Sequence, residues 1–161
     1  MSLILSALEN IPLIRQGDNL ADIVLNAFEQ MNVALLDNDI FVLAQKIVSK
    51  AEGRIINLAD VIPSQEAIEL AEKTEKDARL VELMLQESNE VVRYRKNVIV
   101  VEHKLGFICA NAGIDHSNVL GDGDNKDVVL LLPENPDNSA KQIRDEIKKR
   151  TNKNIGVMII D

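Results

Sequence analysis

Three places in this sequence carry residue types that can do chemistry. The first is Lys46, Ser49 and Lys50, set just after the short apolar run 40–44. Two ammonium groups and a hydroxyl at the end of a strand suit a polyphosphate by charge and hydrogen bonding. A solvated basic loop accounts for the same residues and is the commoner case. The second is Asn111-Ala112-Gly113-Ile114-Asp115-His116-Ser117-Asn118. Small residues let backbone approach a ligand closely. Asp115 suits a hard cation, and Asn118 can hydrogen-bond a ligand amide or phosphate. An Asx-type turn that caps its own backbone explains the run equally well. The third is Asp161, at the carboxyl end of the apolar run 155–160. Carboxylates at two strand ends repel each other unless a cation lies between them. Magnesium takes one or two carboxylates and fills its octahedron with water and phosphate oxygens. Asp115, Asp161 and Lys50 therefore suffice for a metal–nucleotide site, provided the fold brings them together.

Other chemistries are excluded by what the sequence lacks. There is no G-x-x-x-x-G-K-[ST] phosphate loop and no G-x-G-x-x-G dinucleotide turn. The acidic stretch 121–127 fails as a calcium loop, because Asp127 stands where the tight turn needs Gly; it reads as a solvated turn. His103 and His116 have no metal-ligand spacing to each other or to Cys109, and read as surface or structural histidines. Cys109, the single cysteine, excludes an internal disulfide and a cysteine-based zinc site, and reads as an inert core residue. Aromatic residues are confined to Phe28, Phe41, Tyr94 and Phe107, too few for a base-stacking platform.

The chain has 161 residues, enough for one ordinary domain or part of a larger one. Its 46% hydrophobic content supports a real core. A net charge of −8 opposes nucleic acid as a partner. No apolar run is long enough to span a membrane, and Met1-Ser2 carry no basic leader. A soluble cytoplasmic protein is expected.

The elements that must position these residues follow from periodicity. Leu20, Ile23, Val24, Ala27, Phe28 and Met31 form one helical stripe, starting at Gly17-Asp18. Pro12 makes 11–14 extended. The run 40–44 is a buried strand, and the polar stretch 45–54 after it is where a site can begin. Residues 55–56 are a short strand. Ser64 and Asp77 open two helices, with Leu70 on the buried side of the first and Leu80 and Met84 on that of the second. Strands follow at 91–94 and 98–101, then a hairpin across Gly106 to 107–110. Residues 128–132 form a strand closed by Pro133. Ser139 and Gln142 make a capping box for a helix ending at 152–154, and 155–160 is a final strand.

In order along the chain, four blocks resemble the coenzyme F420-0:L-glutamate ligase family. They are Ile11-Pro12-Leu13-Ile14 with Gly17-Asp18; Gln45-Lys46-Ile47-Val48-Ser49-Lys50-Ala51-Glu52-Gly53-Arg54; the 111–118 run; and Leu131-Leu132-Pro133 with Asp137 and Ser139-Ala140. The resemblance implies an α+β fold, a mixed sheet with packed helices, in an intertwined homodimer. It makes residues 1–161 the N-terminal part of a ligase domain, since the family continues past the position of Asp161 into a C-terminal part not in this chain. It implies a GTP-dependent ligase that joins L-glutamate to coenzyme F420-0 through an acyl phosphate, using Mg²⁺ or Mn²⁺ and in some members K⁺. By matched position, Ile11, Pro12, Leu13, Ile14, Gln45, Lys46, Lys50 and Asn118 bind GTP, and Asp115 and Asp161 bind metal. No nucleophilic side chain is required, so no catalytic residue is assigned. Two alternatives stand beside it: a catalytically incomplete nucleotide-binding or dimerisation module, and a ligase for a related carboxylate acceptor.

Overall fold

A computed structural model describes residues 3–116, 119 and 127–161 of the chain. In chain order the elements are α1 (Leu20–Gln30), β1 (Ile40–Ala44), α2 (Gln45–Ala51), β2 (Ile55–Asn57), α3 (Gln65–Thr74), α4 (Ala78–Gln86), β3 (Ser88–Arg95), β4 (Val98–His103), β5 (Ile108–Ala110), β6 (Val128–Leu130), α5 (Pro136–Thr151) and β7 (Gly156–Ile160). The class is α+β, as expected. Among the described residues, however, the strands divide into three small sheets instead of one mixed sheet: β1 with β7, β2 with β6, and β3-β4-β5. The chain falls into two compact units, Met1–Arg54 with Pro133–Asp161, and Ile55–Leu132.

In the first unit β1 and β7 run parallel, with Ile40 opposite Gly156 and Ala44 opposite Ile160. Leu20, Ala21 and Val24 of α1, Phe41 and Leu43 of β1, Val48 of α2, and Ile143 and Ile147 of α5 form its core. The α1 stripe is as expected, but its cap is Asn19, whose side chain accepts from the Asp22 N–H at 3.1 Å. Asp18 instead closes the preceding turn by accepting from the Arg15 N–H at 2.7 Å. Helix α5 starts before the predicted Ser139, because Asn135 caps it and Pro136 needs no N–H partner in the first turn. Its last turn is tied to α1 by Arg150, which pairs with both Asp22 and Glu146. Strand β1 is buried on one side only: Phe41 and Leu43 face the core, while Ile40 and Val42 are exposed.

In the second unit Ser64 caps α3 and Asp77 caps α4, as expected. The two helices pack Ala67, Leu70, Leu80, Val81 and Met84 against Ile99 and Val101 of β4. The β3-β4-β5 sheet is antiparallel throughout. The β4–β5 turn uses Gly106 at φ +85°. His103 is a structural histidine: it is buried, stacks on Phe107 with ring centroids 5.1 Å apart, and its Nδ1 accepts from the Leu105 N–H at 3.0 Å. His116 is exposed. Cys109 lies half-buried on β5, against the core of this unit.

Candidate functional site

The first unit assembles most of the residues singled out in the sequence. A parallel pair puts both carboxyl ends at one edge, and β1 and β7 end in step. Each strand delivers a polar residue there: Gln45 follows β1 and Asp161 follows β7. The Gln45 Nε2–H donates to Asp161 Oδ1 at 3.4 Å. The stretch 45–51 is a helix, not the basic loop that its composition suggested. Ile47, Val48 and Ala51 pack on the core of this unit and hold two turns in place. Helical spacing sets Lys46 and Lys50 one turn apart on one face. Both are half-buried.

The stretch 11–14 lies in a segment without regular secondary structure. Ile11, Pro12 and Leu13 are exposed, and Ile14 packs on the first unit's core. Just after it, the Gly17 N–H donates to Ala51 O at 2.9 Å. The Gln16 side chain lies where a Cβ on Gly53 would be, 2.3 Å from it. These contacts fasten the segment to the end of α2, so 11–14, Lys46, Lys50 and Asp161 belong to one unit.

Asp115 belongs to the other unit. It sits half-buried after a turn of three consecutive left-handed residues: Asn111 at φ 52°, Ala112 at φ 53° and Gly113 at φ 65°. The Asn111 side chain accepts from the Ile99 N–H at 3.2 Å and helps to hold that turn. Asp115 exchanges both backbone hydrogen bonds with Leu130, at 2.9 and 2.8 Å, which fixes its position beside β6. Left-handed backbone at a fully buried alanine costs of order 1–3 kcal/mol, a cost found most often at functional sites. Asn118, and most of the acidic 121–127 turn, lie outside the described residues.

Ser49 takes a different role from the phosphate contact that its sequence position suggested, and Glu52 takes a role where the sequence suggested none. Ser49 is fully buried and donates to Gln45 Oε1 at 3.0 Å, so it braces Gln45 instead of meeting a phosphate. Its i, i+4 spacing was the available signal, legible only once 45–51 is known to be helical. Glu52 accepts from Ser139 Oγ at 2.5 Å and from the Glu134 N–H at 3.0 Å, joining the end of α2 to the start of α5.

The donors fit one kind of metal. Among the described residues no three His, Cys, Asp or Glu side chains gather into a cage. One or two carboxylates outside such a cage suit a hard ion that keeps its water and takes phosphate oxygens, as Mg²⁺ or Mn²⁺ does, better than they suit zinc.

The family model for F420-0:gamma-glutamyl ligase matches residues 9–161. The chain belongs to this family. Relatives named coenzyme F420:L-glutamate ligase include one from Methanothermobacter thermautotrophicus, 44% identical over 161 residues, covering 100% of this chain and 62% of the relative. One from Methanocaldococcus jannaschii is 46% identical over 140 residues, 83% of this chain and 54% of the relative. One from Methanopyrus kandleri is 38% identical over 157 residues, 96% of this chain and 58% of the relative. The chain thus spans little more than half the length of these family members. Among the described residues no helix is long and apolar enough to cross a membrane.

Proposed function

We propose that the chain is the N-terminal part of a cytoplasmic, GTP-dependent ligase that joins L-glutamate to coenzyme F420-0 and works as an intertwined homodimer. The observation that carries this reading is the shared end of β1 and β7, where β7 runs into Asp161 and β1 runs into α2 with Lys46 and Lys50, in a chain of this family.

The chemistry explains the donor set. A carboxylate does not acylate an amine, because its leaving group is poor. Transfer of the GTP γ-phosphoryl to the acceptor carboxylate gives an acyl phosphate, and the glutamate amine displaces phosphate from it. The protein supplies alignment and charge neutralisation. Lys46 and Lys50 offset phosphate charge, the backbone of Ile11, Pro12, Leu13 and Ile14 lines the nucleotide, and Asn118 binds it. Asp115 and Asp161 would each serve as a ligand for Mg²⁺ or Mn²⁺, with K⁺ as an accessory ion. When bound, the divalent ion supplies Lewis-acid stabilisation of charge on the phosphate oxygens.

The test is GTP binding by calorimetry with and without Mn²⁺, and mass-spectrometric detection of glutamylated F420-0, on the full-length protein. Asp115→Ala is expected to abolish the metal-dependent part of GTP binding while the fold persists. Lys50→Ala is expected to weaken GTP about tenfold, the loss of one charge-assisted contact. Full-length protein that binds no GTP with Mn²⁺ present overturns the reading.

A further inference from the structure

Gln45 was matched to a GTP contact, yet its side chain is 5% exposed and both ends of its amide are engaged. Oε1 accepts from Ser49 Oγ at 3.0 Å, and Nε2 donates to Asp161 Oδ1 at 3.4 Å. We infer that Gln45, locked by the buried Ser49 hydroxyl, is a positioning residue that aims the Asp161 carboxylate at its cation. This deepens the proposed function and rests on the reading of Asp161 as a metal ligand.

Register sets the pair. Ala44 stands opposite Ile160 in a parallel pair, so the next residue on each strand, Gln45 and Asp161, is brought side by side. The amide has only one compatible orientation. Turned over, it would set a carbonyl oxygen against a carboxylate, and neither has a hydrogen to donate. The carboxylate selects that orientation, and Ser49, one helical turn on and fully buried, complements it by donating to Oε1. An amide is also the right donor. A lysine or arginine here would neutralise the acid and compete with a cation, whereas Gln45 fixes the carboxylate and leaves its charge intact. A carboxylate has about four lone-pair directions, and Gln45 takes one of them. Hydrogen bonds of this kind orient ligands in metal sites and tune metal affinity.

The experiment titrates the full-length protein with Mn²⁺ alone, followed by electron paramagnetic resonance, in wild type, Gln45→Met, Ser49→Ala and Asp161→Ala. In parallel, ¹⁵N NMR follows the Gln45 side-chain amide of the metal-free protein. Gln45→Met is expected to weaken Mn²⁺ about tenfold, and Ser49→Ala about threefold, at near-unchanged melting temperature. The Gln45 amide signal is expected to shift in Ser49→Ala and in Asp161→Ala without metal. That signal and Ser49→Ala keep the inference testable if Gln45→Met does not fold. If Asp161→Ala weakens Mn²⁺ while Gln45→Met and Ser49→Ala bind it as wild type does, the positioning role is overturned and the ligand reading stands. If Asp161→Ala binds Mn²⁺ unchanged, the ligand reading falls and takes the inference with it. If Gln45→Met weakens metal-free GTP binding and leaves Mn²⁺ alone, Gln45 is a nucleotide contact after all.

Discussion

The two units solve the same problem, covering a sheet, in different ways. In the second unit β4 turns Ile99, Val101 and His103 into the core and Val98, Val100 and Glu102 outward. The register sets Arg93 opposite Val100, Arg95 opposite Val98 and Glu90 opposite Glu102, so that outward face mixes charge with short aliphatics. This is how an antiparallel sheet lives with one face in water. In the first unit β1 and β7 are apolar on both faces. Phe41 and Leu43 are buried, yet Ile40, Val42, Met158 and Ile160 are each about half exposed, from 48% to 59%. Parallel strands with apolar residues on both sides are normally covered on both sides. The lesson is one of division of labour. The second unit buries one face of β4 and holds Asp115 just after a strained turn, while the first carries Lys46, Lys50 and Asp161 beyond a strand pair whose second face is apolar and half exposed.

The largest expected effect tests whether both cores count equally. Leu58→Ala in the second unit and Ile147→Ala in the first each delete a fully buried aliphatic side chain, and each is expected to cost about 3 kcal/mol by urea denaturation. Equal losses in one shared transition mean that the units fold together. Losses confined to separate transitions mean that the two cores are independent.

Next come two glycines. At Gly113 a Cβ would lie 2.7 Å from Leu132 Cδ1, with φ at +65°. At Gly53 it would meet the Gln16 side chain at 2.3 Å, with φ at +74°. The Gly53 clash is the shorter, but Gln16 is exposed and can swing away, whereas Leu132 is buried. Gly113→Ala is therefore expected to cost about 2 kcal/mol and Gly53→Ala about 1 kcal/mol, read from thermal melts. The reverse order would show that the Gln16 contact is the stiffer.

These sites also show what the sequence could reveal. Helices with a long stripe and a short polar cap were legible: Ser64 and Asp77 stand where capping chemistry puts them. Helix α2 was not, because seven residues are too few to display a period and Ile47-Val48 look strand-like. The parallel pairing of β1 with β7 was illegible too, since more than a hundred residues separate the strands and periodicity carries no partner information. Hence Asp161 could be suspected from its place after an apolar run, but its neighbour Gln45 could not be named from spacing. Nor could the left-handed run at Asn111 and Ala112, where only Gly113 carried a signal.

A smaller effect concerns charge. Arg79 hydrogen-bonds the Asp77 side chain and holds its carboxyl below the ordinary value of 3.8, with burial opposing. A depressed carboxyl stabilises the fold above its ordinary value, and that contribution is lost as pH falls through the folded value. Asp77→Ala is expected to cost about 1 kcal/mol at neutral pH, mainly through the lost cap of α4. Asp77→Asn keeps a capping oxygen and is expected to cost less. It should also lose less stability than wild type between pH 4 and pH 2, because nothing remains there to protonate. Parallel melting curves for the two proteins across that range would remove Asp77 from the pH response.

The smallest expected effect is the most telling about the half-exposed apolar face. Val42 is half exposed and stands opposite Met158 in the register. Val42→Thr keeps the β-branched shape and adds one hydroxyl. On a face in water that hydroxyl is solvated, and the change is expected to stay within about 0.5 kcal/mol in this chain. On a covered face the hydroxyl would be buried without a partner and cost about 1–3 kcal/mol. Measuring Val42→Thr in this chain and in the full-length protein therefore reads the cover directly. A penalty that appears only in the longer protein means that the apolar face is packed there. A penalty absent from both means that it stays in water, and the contrast between the two units is then a permanent feature of the fold.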